Sequence, residues 1–149
     1  MWPRIGNQRT LELGTEGAWR DELNALVLAG TKTSTMGLVE DYRLEGEEFE
    51  HEGEILGLLG NEGELVAWIE VTRHDVVSFD QLSGEYGESV AKSCGEGHAD
   101  ASAYRRGYAE YWRDSGKNVS DDTQVAVVWF ARTDADPTTD GDGSTADSL

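Results

Sequence analysis

Lys32 stands in the segment Gly30-Thr31-Lys32-Thr33-Ser34-Thr35, one ammonium among four hydroxyl side chains. Lysine is scarce in this chain, which has only Lys32, Lys92 and Lys117. A lone ammonium flanked by hydroxyls suits an anionic or carbonyl-bearing ligand, and a desolvated lysine can act as a base or activate a nucleophile. Glu70 closes the apolar run Leu65-Val66-Ala67-Trp68-Ile69. Together the three side chains suggest a hydrolytic group. Lys32 would activate, Thr35 would attack a carbonyl or orient a water, and Glu70 would relay the proton. The plain alternative is a polar turn in which Lys32 and Glu70 form a structural ion pair at the rim of a sheet.

A second constellation lies further along. Arg105, Arg106 and Arg113 are interleaved with Tyr104, Tyr108, Tyr111 and Trp112. Arginines clamp phosphates and aromatic rings stack bases, so this helix, together with Thr33, Ser34 and Arg73, is a candidate ligand-binding surface. The alternative is that the rings pack in the core and the arginines are solvated. No metal is expected: His51, His74 and His98 are scattered, and there is no CxxC or HExxH spacing. No Walker loop, dinucleotide fingerprint or Gly-x-Ser-x-Gly elbow is present either, and no cofactor is expected.

The elements that must position these groups follow from periodicity. Trp19, Leu23, Leu26 and Val27 share a helical face, so a helix is expected over about 17–29, capped by Thr15 and stopped by Gly30. Residues 33–39 read as an extended segment and 40–53 as an acidic loop. A hairpin is expected from 54–59 and 64–72 around the turn Gly60-Asn61-Glu62-Gly63. A short helix around 85–92, a long one over 100–114 and a last strand over 123–132 complete the order. That mixture implies an α+β domain with a small, largely antiparallel sheet or barrel. Residues 1–12 read as a loosely held lead-in, 13–133 as the domain, and 134–149 as an acidic tail disordered by composition.

The 149 residues carry a net charge of −18, and the last sixteen hold five aspartates and no basic residue, so their removal leaves −13. Such a body opposes non-specific phosphate binding, and a nucleic-acid site must work against the global field. The acidity fits a high-salt host or a GC-rich genome equally. One cysteine, Cys94, rules out an internal disulfide and fits a reducing, cytoplasmic compartment. No apolar run of membrane-spanning length or signal-peptide core is present.

The ordered set of motifs resembles a known family. The helix Trp19 to Gly30 followed by Thr31-Lys32-Thr33-Ser34-Thr35, the strands Gly63 to Val71 and Val76 to Asp80, and Glu96-Gly97 followed by Tyr104-Arg105-Arg106 and Tyr108 are similar to the ASCH domain, in its longer bacterial subgroup. The resemblance covers about residues 13–133. It implies a PUA-like fold, a small mixed β-barrel flanked by helices with a cleft near the lysine loop. It implies RNA binding, with ribonuclease action on single-stranded RNA in some members. One smaller relative hydrolyses an acetylated cytidine with lysine, threonine and glutamate, and Lys32, Thr35 and Glu70 match those places by motif order. The chain departs from the subgroup where Tyr104 and Tyr108 replace a usual tryptophan and histidine, and where Asp100 replaces a serine. The expectations are therefore an RNA-binding ASCH protein, possible ribonuclease included, or a metal-independent amidohydrolase of an N4-acetylcytidine-like nucleoside, or a non-enzymatic nucleotide sensor. The partner is RNA or a nucleoside, there is no membrane, and the chain is a monomer or weak homodimer.

Overall fold

The computed structural model describes residues 1–138. The order of elements is β1 (Arg4–Ile5), β2 (Gln8–Leu11), α1 (Ala18–Leu28), β3 (Ser34–Leu38), α2 (Val39–Glu45), β4 (Ile55–Leu59), β5 (Leu65–Ser78), a 3-10 turn (Phe79–Gln81), α3 (Gly84–Cys94), α4 (Ala101–Asp114) and β6 (Gln124–Thr133). The strands form one mixed sheet in the order β1-β2-β4-β5-β6-β3. Among the described residues only β2 and β4 pair parallel. The edge strands β1 and β3 do not pair among the described residues, so the architecture is an α+β fold with an open six-stranded sheet where a closed barrel was expected.

The sheet is organised by β5 and β6. They pair antiparallel from Trp68↔Thr133 to Ser78↔Gln124, with a register shift between Val71 and Arg73. β6 feeds both apolar clusters. Val125 and Val127 join Met36, Leu38, Val90, Cys94, Tyr104 and Trp112, beneath α3 and α4. Val128 and Phe130 join Leu23, Val27, Leu56, Leu58, Ile69 and Val71, beneath α1. Burial on both faces explains the unbroken apolar run of this strand. Tyr104 is fully buried and Trp112 is buried in the same cluster, which fits the packing alternative for those two rings.

Four local expectations are corrected. The lead-in is not loose: β2 pairs with β4, Thr10 is buried, and Arg9 bonds both Glu54 oxygens at 2.7 Å. Part of the acidic loop is helix α2, with Glu40 and Asp41 in its first turn and Gly46 at φ 68° ending it. Thr15 does not cap α1, whose N-cap residue is Gly17 with no side-chain cap bond; Asn61 of the hairpin turn fastens that residue. Asn61 accepts from the Gly17 N–H at 2.8 Å and donates to the Gly17 carbonyl at 3.0 Å. Finally, Glu70 does not end its strand, because β5 continues to Ser78, and its side chain is exposed. The proposed tail falls outside the described residues from position 139 onward.

Candidate functional site

The lysine loop is held by backbone closure at both ends. At the end of α1 the N–H groups of Thr31 and Lys32 both donate to the Leu26 carbonyl, at 2.9 and 3.1 Å. Gly30, at φ 79°, makes that reversal. The Thr33 N–H then donates to the Ser93 carbonyl at 2.8 Å, and the Thr33 carbonyl accepts from Phe130 at 2.9 Å. The C-terminus of α3 presses on the loop from the other side. Gly95 sits at φ 70°, and a Cβ there would collide with the Thr31 carbonyl and stand 2.8 Å from Lys32 Cα.

This closure buries the Lys32 side chain to 1% exposure. Its ammonium donates to Glu96 Oε2 at 2.6 Å and to the Cys94 carbonyl at 3.2 Å, and lies 3.5 Å from Cys94 Sγ. A buried cation needs such partners, since desolvation without them costs several kcal/mol. Burial pushes the Cys94 thiol up to about 11, with Lys32 pulling it down and Glu96 pushing it further up. The thiol is therefore a neutral donor, 3.2 Å from Glu96. Cys94, Glu96 and His98 offer ligand atoms within 4.8 Å of one another, a spacing that could hold a metal ion. The Lys32 ammonium already supplies the cation to that cluster. The His98 ring stands edge-on to Tyr104, and its buried Nε2 finds no hydrogen-bond partner among the described residues.

Lys32, Thr35, Glu96 and His98 all face one cavity of about 380 Å³. β3 forms its floor. Thr35 and Gly37 are the partly exposed positions of the strand, while Ser34, Met36 and Leu38 are buried. Tyr108 lines the cavity beside them, and burial raises its pKa well above the usual phenol value. Trp2, Trp19, Tyr42, Tyr111 and Trp112 supply an aromatic lining. Three further carboxylates, Glu12, Asp41 and Glu50, also line it.

The sequence-based site residues separate into two groups. Lys32, Thr35 and Tyr108 converge on the cavity. Glu70 does not line it; it lies exposed on β5 between Ile55 and Ala131. Thr33 and Ser34 bond Ser93 and fasten the loop to α3. Arg105 bonds the Leu82 carbonyl, and Arg106 is exposed beside Ser102. Arg73 lies over Trp129 at 4.5 Å and pairs with Asp75. Glu96 takes the carboxylate place beside Lys32, across 64 positions of sequence. The one signal for it was the acidic residue before Gly97. His98 was visible only as a scattered histidine, and Glu50 only as part of an acidic loop.

The ASCH domain family model matches residues 10–134. No functionally curated protein matches the chain. Among solved structures, the ASCH domain from Lactobacillus crispatus superposes with a TM-score of 0.65 at 20% identity, covering 83% of this chain and 78% of its own. A protein of the DUF984 family from Enterococcus faecalis superposes with a TM-score of 0.72 at 16% identity, covering 98% and 88%. Identities this low speak for the fold alone. ASCH domains are PUA-like and often linked to RNA binding. No described helix is long and apolar enough to cross a membrane. With the match spanning nearly the whole described chain, and the lysine loop and cavity in place within it, this protein belongs to the ASCH domain family.

Proposed function

We propose that the protein is a metal-independent amidohydrolase that removes an acyl group from the amine of a nucleoside-like base. The observation that carries this reading is the convergence of Lys32, Thr35 and Glu96 on the wall of one aromatic-lined cavity. The Thr35 hydroxyl positions the water that attacks the acyl carbon, or attacks it itself and forms an ester that water then hydrolyses, releasing the acid. Glu96 accepts the proton and returns it to the leaving nitrogen. Lys32 holds Glu96 in place and stabilises charge developing on the carbonyl oxygen. Glu96 takes the role that sequence order assigned to Glu70. The volume suits a single base and sugar better than a polymer.

The test is release of cytidine and acetate from N4-acetylcytidine, with chelator present. Turnover by the wild type, lost in Thr35→Ala with folding intact, supports the reading. No turnover by well-folded wild type contradicts it.

One observation favours RNA binding as a second reading: the exposed Arg73 guanidinium stacked over Trp129 and near Tyr86. Cation and ring together suit a stacked base of a single strand. This reading requires affinity for single-stranded RNA to fall with salt, with a log–log slope of about −0.7 per phosphate contact. A slope near zero removes it.

A further inference from the structure

Four consecutive residues of one strand, Thr35, Met36, Gly37 and Leu38, line the cavity. Successive residues of a strand point to opposite faces, so one face of the sheet cannot supply all four. The cavity therefore runs along the outer edge of β3, which ends the sheet and pairs only with β6 among the described residues. The flanking helices agree with this. Trp19 and Leu23 of α1 line the cavity, as do Tyr108 and Trp112 of α4, although the two helices pack on opposite faces of β6. Trp19 meets Tyr111 of α4 edge to face at 5.2 Å, so the two helices join beyond the strand edge.

The register fixes which main-chain groups face outward. Ser34 lies opposite Trp129, Thr35 opposite Val128, Met36 opposite Val127 and Gly37 opposite Ala126. One step back, the Phe130 N–H donates to the Thr33 carbonyl at 2.9 Å. In an antiparallel ladder, bonded pairs alternate with unbonded ones. Thr35 and Gly37 therefore turn their N–H and carbonyl groups toward β6, and Met36 turns both of its own away from β6, along the cavity. No described residue hydrogen-bonds the Met36 N–H or carbonyl; the contact from the Tyr104 hydroxyl ends on its sulfur. Met36 is 6% exposed, and buried main-chain groups require a partner. The other continuous stretch on the wall, residues 10–14, has the Leu13 and Gly14 carbonyls committed to Arg20 at 3.0 and 3.1 Å.

We infer that the main chain of Met36 reads the ligand: its N–H and carbonyl, side by side on the strand edge, pair with a flat heteroaromatic ring on which an N–H donor stands next to a ring-nitrogen acceptor. Two observations favour a ring over an added peptide strand. β3 is only five residues long, and aromatic side chains from both flanking helices enclose its edge. The cavity of about 380 Å³ also has the size of a small-molecule site. The inference rests on the proposed function only in setting the acylated amine beside that ring nitrogen, next to Thr35. It assigns selectivity to the ring edge and none to a sugar or phosphate, so a sugar-free N-acyl aminopyrimidine suffices as ligand.

The probes are 4-acetamidopyrimidine and its isomer 5-acetamidopyrimidine. They have the same atoms, and only the first has its amide N–H next to a ring nitrogen. Calorimetric binding to Thr35→Ala, which separates binding from turnover, should favour the 4-isomer by about tenfold. Amide resonances of the nitrogen-labelled wild type give a second readout that needs no variant to fold. The Met36 amide should shift and its hydrogen exchange slow with the 4-isomer, while the Thr35 and Gly37 amides, turned toward β6, stay unchanged. Equal affinity for the two isomers, binding of neither, or binding of the 4-isomer with the Met36 amide unmoved overturns the inference. Protection of Met36 by an extended tetrapeptide and by neither isomer also overturns it, and assigns the edge to strand addition. Wild-type turnover of N4-acetylcytidine without an isomer preference sinks this inference alone, and an isomer preference without turnover sinks the amidohydrolase reading alone.

Discussion

The two ends of the cavity solve the same electrostatic problem in opposite ways. At the lysine end, a carboxylate 15% exposed meets an ammonium 1% exposed at 2.6 Å, and the charges close on each other. At the far end, Glu50 is as buried, yet it holds only a neutral phenol and a histidine ring. Buried charge is tolerated where a partner or a ligand compensates it. The first end is built complete, as a reacting centre requires. The second holds its carboxylate with one phenol hydrogen bond and an imidazole 3.4 Å away.

The sharpest way to break this contrast is to remove the ammonium. Lys32→Met leaves Glu96 beside an apolar chain and should cost on the order of 3 kcal/mol of stability in urea unfolding. Adding Glu96→Gln should restore part of that loss, because the neutral amide no longer needs a cation. A double variant as unstable as the single one would mean the pair contributes shape and not charge compensation.

The far end should respond more weakly. Tyr42→Phe removes the one strong donor on Glu50 and should cost about 1 kcal/mol, read by the same unfolding experiment. A loss matching that of Lys32→Met would show that Glu50 depends on Tyr42 as Glu96 depends on Lys32, and the contrast would fail.

The smallest effect concerns the wall. Trp2 and Pro3 line the cavity, and Glu47 ties them down through the Trp2 N–H at 2.9 Å and the Arg4 guanidinium at 2.9 and 3.0 Å. The Arg4 bond leads in holding the Glu47 carboxyl down to about 2, from 4.5. A lowered carboxyl stabilises the fold above its unfolded value, and that stability is lost as pH falls from about 4.5 toward 2. Glu47→Gln should flatten this acid limb in thermal melts between those values. An unchanged limb would assign it to other carboxylates.

Much of this was legible in the sequence, for local reasons. α1, the hairpin, α4 and β6 have periodicity and turn chemistry strong enough to read, and Lys32 stands out by scarcity. What escaped depended on distance in the chain. Glu70 lies on a strand whose alternation marks a face but not what that face meets, and the register of β5 puts it in solvent. Glu96 and His98 reach the site only because Gly95 lets α3 end against the lysine loop. Glu50 sits in a segment whose acidity reads as solvated, until β2 and the Arg9 bonds fold that segment onto the sheet.

The account's central claim is that Glu96, and not Glu70, completes the site with Lys32 and Thr35. The most direct measurement is turnover of N4-acetylcytidine by Glu96→Gln and Glu70→Gln beside the wild type. The expected result is a loss of about 100-fold or more in Glu96→Gln, with Glu70→Gln unchanged. Full activity in Glu96→Gln with loss in Glu70→Gln would contradict it.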